Sequence, residues 1–328
     1  MGNLRGLAER GSLALGVALN PDLARNPRRA YRDILSSCFS LEVIQHGLLW
    51  RVTEPSQGAT DFSRTDWLVQ HYRADGSGNL RGLRGHPLYF PAANPAWLLH
   101  TDLKARDLVR ILRRRIKSVI SRYRSNIREW VVVNEPHYPG ESNRRGYDVM
   151  HSKIGPDYID IAFEAAREAD PSAILIYNDF GNETPGGPTT EYTLETVSRL
   201  RSKGLLDGVG LQMHLNGRNP PRISELIQAL DDYPLPVYIT ELDVNLSGVG
   251  GSRQERFMTQ AIIYSDVMLA CLETGACKSI SVSGIGDRYS WLEKYLGQPD
   301  ADGTLFDDNF DPKPAYFAFY ELLQRRFG

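Results

Sequence analysis

Long apolar runs are missing from this chain: nothing in its 328 residues approaches the ~18 consecutive apolar positions that a membrane-spanning helix needs. The start, "MGNLRGLAERG", has no apolar signal core, which predicts a protein that stays inside the cell or one whose leader is absent from this sequence. Cysteine is scarce as well. Three residues cannot build a disulfide framework, and none has the spacing of a zinc site. Cys38, in "ILSSCFSL", reads as a small buried hydrophobe. Cys271 and Cys277 bracket the end of a helix and the start of a strand, where the spacing fits a bridge and two reduced core thiols equally well. A large charge excess is also lacking: the formal net charge is −2, so there is no global electrostatic footprint for nucleic acid or an anionic membrane, and a neutral partner is expected. Low-complexity tracts, tandem repeats and linker-like shifts in composition are absent, so residues 1–328 are expected to form a single domain; a monomer is expected. No motif calls for a metal or cofactor.

What is present is 41% hydrophobic residues, ample for a core, and a regular alternation of short apolar runs with helical segments. The runs are "LALGVALN" (13–20), "EVIQHGLLW" (42–50), "GLRGHPLYF" (82–90), "WVVVNE" (130–135), "AILIYND" (173–179), "GVGLQMHL" (208–215), "VYITELDV" (237–244) and "SISVSGI" (279–285). Between them lie segments with helical periodicity. "NPRRAYRDILSSC" opens on Asn26 before Pro27, an N-cap followed by a first-turn proline. "LKARDLVRILRRRIKSVISRYRS" places Leu108, Ile111, Leu112, Ile116, Val119 and Ile120 on one face, with its basic residues largely on the opposite, solvated face. Eight strand–helix repeats predict a parallel sheet closed into a (β/α)8 TIM barrel. A doubly wound open sheet is the other architecture of this alternation, and the chain lacks its GxGxxG turn.

In such a barrel, active sites collect at the C-terminal ends of the strands. His86, Asn134, Glu135, Asn178, Asp179, Gln212, His214, Glu241 and Asp243 all fall at those ends, and so many polar groups on an apolar scaffold are costly to bury without purpose. Glu135 and Glu241 stand three βα units apart, which puts them on opposite sides of the predicted barrel mouth. Two carboxyl groups flanking a glycosidic bond are the minimal machinery for glycoside hydrolysis. Asp243 shares a strand face with Glu241, and His214 on the neighbouring strand is within reach of either, a setting that favours an ionised nucleophile. Glu135 leaves a tryptophan–valine run, where desolvation favours the protonated acid.

These motifs resemble glycoside hydrolase family 10, the endo-β-1,4-xylanase family. "RGHPL" is similar to its strand-three motif, "WVVVNE" to its acid/base strand, "GVGLQMHL" to strand six, "VYITELDV" to the nucleophile strand, "DRYSW" to the strand-eight loop and "LFDDNFDPKPAY" to the entry into the last helix. The resemblance implies a retaining β-glycosidase acting on β-linked poly- or oligosaccharide. By position, Glu135 would be the general acid/base and Glu241 the nucleophile. Asn134 would bind the 2-hydroxyl of the sugar at the scissile bond, His86 and Gln212 would hold that sugar, His214 and Asp243 would orient Glu241, and Trp291 would wall the pocket. The Cys271–Cys277 spacing resembles a disulfide of secreted members, which leans the compartment towards extracellular and leaves cytoplasmic open.

The departures from the family pattern are concentrated on the glycone side. "QHGLLW" puts Gln45, His46 and Leu49 where the family has glutamate, asparagine and lysine; "FPAA" (90–93), "YNDFG" and Ser283 also differ. Loss of those polar partners is expected to weaken plain xylan in its usual pose. A different β-linked glycan or a glycoside with a bulky aglycone is the alternative substrate, and a non-catalytic carbohydrate-binding barrel the alternative function. His137 and Tyr138, just past Glu135, line the leaving-group side or a surface loop. "DADGTLFDDNFD" lacks the spacing of a calcium loop and is expected to be a surface loop before the last helix. "NET" at Asn182 and "NLS" at Asn245 would be glycosylation acceptors only in a eukaryotic secretory host, and are expected to be chance matches.

Overall fold

A computed structural model describes residues 2–19, 29–73, 82–100, 102–137, 148–298 and 300–328. Its strands are β1 (Ala14–Ala18), β2 (Leu41–Ile44), β3 (Gly82–Gly85), β4 (Glu129–Asn134), β5 (Ile174–Asp179), β6 (Gly208–Leu211), β7 (His214–Asn216), β8 (Val237–Asn245) and β9 (Cys277–Val282). They hydrogen-bond in the order β6-β5-β4-β3-β2-β1-β9-β8-β7, with β6 also paired to β8, so the sheet closes on itself. With helices between successive strands, this is the (β/α)8 barrel. The ninth strand segment arises because the sixth apolar run is broken: Met213 adopts φ 59°, a left-handed conformation that interrupts pairing between Leu211 and His214. The N-cap expected at Asn26 lies outside the described residues.

Two compact units divide the chain. The first comprises residues 1–42, 180–185 and 211–328. Here β1 pairs parallel with β9, β9 with β8 and β8 with β7. The helix Arg253–Glu273 starts on a capping box, with Ser252 accepting from the Glu255 N–H while Glu255 accepts from the Ser252 N–H. It packs against the helix Pro314–Phe327, where Tyr264 and Phe319 meet edge-on at 5.5 Å. Cys271 at its end is bonded to Cys277 at the start of β9, with a Cα–Cα distance of 5.2 Å. Cys38 is buried and reduced, and burial pushes its thiol up to about 11.

The segment "DADGTLFDDNFD" departs from the surface loop expected of it. Ala301, Asp302, Thr304, Leu305 and Phe306 are buried, because Lys313 draws the chain inward: its Nζ donates to Asp287 Oδ2 at 2.9 Å and to the Asp302 carbonyl at 2.6 Å. A buried ammonium must be paired, and the loop supplies the Asp302 carbonyl beside the Asp287 carboxylate.

The second unit comprises residues 43–179 and 186–210, with β3, β4 and β5 paired in parallel. Trp130, Val131, Val132 and Val133 are each fully buried, so both faces of β4 are covered and its sequence is a continuous apolar run rather than an alternating one. Each buried valine contributes ~1.5–3 kcal/mol. The helix Ala105–Tyr123 buries the apolar face read from its periodicity, with one exception to the solvated basic face. Arg115 is 3% exposed, lies over the Trp50 ring and donates to the Leu48 carbonyl at 2.6 Å; burial pushes its guanidinium down to about 10. That contact explains a second departure. The run at 42–50 is a strand only to Ile44, then a 3-10 turn at His46–Leu48 and a helical turn at Trp50–Thr53, since the carbonyls of Gly47 and Leu48 are taken by Thr65 and Arg115 instead of a neighbouring strand. The run at 82–90 likewise stops pairing regularly at Gly85: Pro87 has no N–H to offer a ladder, and bonding to β4 resumes at Leu88 and Tyr89, which donate to the Val131 and Val132 carbonyls at 2.9 and 3.0 Å.

Candidate active site

The site residues expected from the sequence fall into two groups, one in each unit. In the second unit, Asn134 is the last residue of β4 and is 2% exposed. Its Oδ1 accepts from Asn178 Nδ2 at 2.7 Å, which sets the amide so that Nδ2 points to Glu135 Oε1, 3.3 Å away. Glu135 follows immediately, with its N–H donating to the Asn178 carbonyl at 2.9 Å and its backbone at φ 50°. A glutamate in the left-handed region costs roughly 1–2 kcal/mol, and here the neighbouring ladder bond holds it. The turn directs the carboxyl out of the valine run while keeping it half-buried.

Asp179, fully buried, accepts from the Tyr177 hydroxyl at 2.9 Å and from the His137 N–H at 3.4 Å. His137 stacks on Tyr192 at 4.4 Å, and burial lowers its pKa, so it is a neutral ring there. Asn178 and Asp179 thus serve the backbone and side chains around Asn134 and Glu135. His86, 3% exposed, follows β3, with its N–H on the Ile44 carbonyl at 3.1 Å. Gln45 and His46 are half-buried at the turn after β2, not on a strand. Tyr138 lies outside the described residues.

In the first unit, Gln212 and His214 flank the kink at Met213, while Glu241 and Asp243 lie inside β8. The Gln212 carbonyl accepts from the Glu241 N–H at 3.1 Å, which fixes the register of the two strands. His214 Nδ1 is 3.0 Å from Asp243 Oδ1, and Nε2 is 3.9 Å from Glu241 Oε2. The imidazole is therefore bonded to Asp243 and only faces Glu241. Trp291 Nε1 donates to the other Asp243 oxygen at 2.6 Å, and its ring lies 4.8 Å from His214.

Burial by itself would push the His214 pKa down, yet the charges of Asp243, Glu241 and Glu183 outweigh it and lift it to about 9. His214 is thus an imidazolium at neutral pH, held between carboxylates. Folding raises its affinity for the proton, so the resulting stability is complete below about 6.5, the unfolded value, and is lost as pH rises through about 9. In urea titrations across that window, the unfolding free energy of the wild type should fall by ~1.4 kcal/mol per pH unit more steeply than that of His214→Gln. Equal slopes in the two proteins would mean that His214 carries no extra proton.

Glu183 was not among the residues singled out from the sequence. It appeared only as the middle of "NET", although it stands four residues beyond the polar end of β5, a position that invited scrutiny. Its pKa is raised by burial, with His214 pulling the other way. Asn182, beside it, is fully buried and cannot carry a glycan in the folded chain, and Asn245 Nδ2 is engaged with Gln298. Among the described residues, no cluster of three or more His, Cys, Asp or Glu is arranged to hold a metal ion.

The model of "Glycosyl hydrolase family 10" matches residues 3–322. Endo-1,4-beta-xylanase B of Thermotoga neapolitana is 30% identical over 327 residues, spanning 98% of this chain and 92% of that protein. Among solved structures, native xylanase 10B from Thermotoga maritima superposes with a TM-score of 0.90 at 29% identity, covering 99% of both chains. Xylanase 10B from Thermotoga petrophila in complex with xylobiose gives a TM-score of 0.89 at 28% identity, covering 100% of this chain and 99% of that one.

Proposed function

The chain belongs to glycosyl hydrolase family 10 and is a retaining, xylanase-like O-glycoside hydrolase, and we propose that Glu135 is its general acid/base, Glu241 its nucleophile and a β-1,4-linked xylo-oligosaccharide or xylan its substrate. The observation that carries the assignment is the setting of Glu241: a carboxylate inside β8, 6% exposed, faced at 3.9 Å by an imidazolium that Asp243 pins from behind. A cation held there attracts and aims the carboxyl group, as a nucleophile requires.

In the first step the Glu135 carboxyl gives its proton to the glycosidic oxygen as the bond to the anomeric carbon breaks, and Glu241 attacks that carbon to form an ester. In the second, Glu135, now a carboxylate, takes a proton from water, whose oxygen displaces Glu241 and restores the original anomeric configuration. The Asn134 amide, locked by Asn178, offers Nδ2 as a donor to the sugar 2-hydroxyl beside the bond that breaks. His86 and Gln212, both nearly inaccessible at the ends of their strands, hold the same sugar. Gln45 and His46 lie further along the glycone side, and Leu49 there is 8% exposed and offers no charge. The Cys271–Cys277 bond supports an oxidising, extracytoplasmic setting.

Digestion of matched panels of xylo- and cello-oligosaccharides, plain and decorated, tests the substrate, with the anomer first formed read by proton NMR. Xylo-oligosaccharides should be cut with release of the β anomer. Preference for cello-oligosaccharides would overturn the substrate, and release of the α anomer the roles of the two glutamates.

A further inference from the structure

We propose that Trp291 is a positioning residue for the nucleophile through its indole N–H, a role separate from any its ring has as a wall. Asp243 is fully buried, and each of its oxygens has one side-chain donor: His214 Nδ1 on Oδ1 at 3.0 Å and Trp291 Nε1 on Oδ2 at 2.6 Å. A buried carboxylate with donors on both oxygens has one orientation; with one donor removed it can rotate, and His214 turns with it. The far nitrogen of His214 faces Glu241. The indole proton therefore sets where the imidazolium sits against the nucleophile, without touching substrate itself.

The indole is held from the opposite direction. Trp291 follows Ser290, 1% exposed, whose Oγ accepts from the Leu292 N–H at 3.2 Å, and the Ser290 N–H donates to the Asp287 carbonyl at 2.9 Å. Asp287 is fixed in turn by Lys313 and by Thr304, whose N–H and hydroxyl each donate to Oδ1 at 2.9 Å. Gly303 packs closely here: a Cβ there would meet Leu292 Cδ1 at 2.4 Å, so a larger residue would require the Leu292 side chain to shift. The buried Lys313–Asp287 pair, far along the chain from β8, is thus the anchor of a relay that runs through Trp291, Asp243 and His214. The charged groups facing His214 are Asp243, Glu241 and Glu183, and Trp291 is the polar contact that restrains the first of them.

The proposal rests on Glu241 being the nucleophile. It is tested by replacing Trp291 with 3-benzothienylalanine, which keeps the ring system and puts sulfur where the N–H was, alongside Trp291→Phe and Trp291→Ala. Removing a hydrogen bond to a buried carboxylate should lower kcat on a xylo-oligosaccharide by about 10–100-fold in the benzothienyl and phenylalanine proteins, with KM within about threefold of the wild type. Wild-type kcat in the benzothienyl protein, with KM raised only in Trp291→Ala, would leave the ring as a wall and overturn the role of the proton. A readout on folded protein stands beside this: Asp243→Asn should move the Trp291 indole resonance in a proton–nitrogen NMR spectrum, and an unmoved resonance would also overturn it. Turnover that survives in Glu241→Ala sinks the nucleophile reading itself, whereas a silent Glu241→Ala with a fully active benzothienyl protein sinks only the inference about Trp291.

Discussion

Glu241→Ala should lose xylo-oligosaccharide turnover by ~10⁴–10⁶-fold, the scale on which an enzyme that works through a covalent intermediate fails without its nucleophile. The replacement removes the only group in the proposed mechanism that bonds to the anomeric carbon from the face opposite the leaving oxygen. It also leaves a space beside His214, whose Nε2 faces the Glu241 carboxyl at 3.9 Å in the wild type. Azide, small and anionic, should enter that space and attack from the same face. With an activated aryl β-glycoside, Glu241→Ala plus azide should therefore yield the α-glycosyl azide, one displacement and one inversion. A β-azide from this variant would place the missing group on the other side of the bond and exchange the two assignments.

Glu135→Ala should behave differently, because its work depends on the leaving group. Positioned general acid–base catalysis contributes ~10²–10⁴-fold, and hydrolysis of unactivated xylo-oligosaccharides should slow by about that factor. A dinitrophenyl leaving group needs no proton, so formation of the covalent intermediate should continue at close to the wild-type rate. The second step, which needs Glu135 to deprotonate water, should then limit turnover and give a burst of phenolate. Azide needs no base; it should relieve that step and produce the β-glycosyl azide through two inversions. Opposite azide anomers from the two variants identify each carboxylate by the face of the sugar it serves. Equal sensitivity of Glu135→Ala to good and poor leaving groups would show that residue 135 supplies no proton.

Much of this was legible beforehand, and for local reasons. The alternation of apolar runs with amphipathic segments is a short-range pattern, and it implied a parallel barrel because burial on both faces of a strand needs an unbroken apolar stretch such as Trp130 to Val133. Polar residues at the ends of such stretches are conspicuous for the same reason. That is why Asn134, Glu135, Glu241 and Asp243 stand out as candidates by position alone, and why the turn at Gln45 and His46 stands out against the family pattern. Where local reasoning erred, a distant partner intervened. The carbonyls of Gly47 and Leu48 go to Thr65 and Arg115, which ends the second strand early, and Lys313 draws in a segment whose acidic composition reads as surface.

The sequence by itself determined the class of the molecule and singled out the two glutamates proposed for catalysis, since periodicity and residue chemistry are properties of neighbours along the chain. Only the tertiary structure decided how that chemistry is held. His214 bonds Asp243 rather than Glu241; Glu183, hidden in a chance glycosylation motif, adds its charge to the same imidazole; Trp291 reaches Asp243 through its nitrogen; and Glu135 and Met213 adopt backbone conformations that their side chains disfavour. Each of these depends on strand register and on contacts between residues tens of positions apart, and no window of sequence contains both partners.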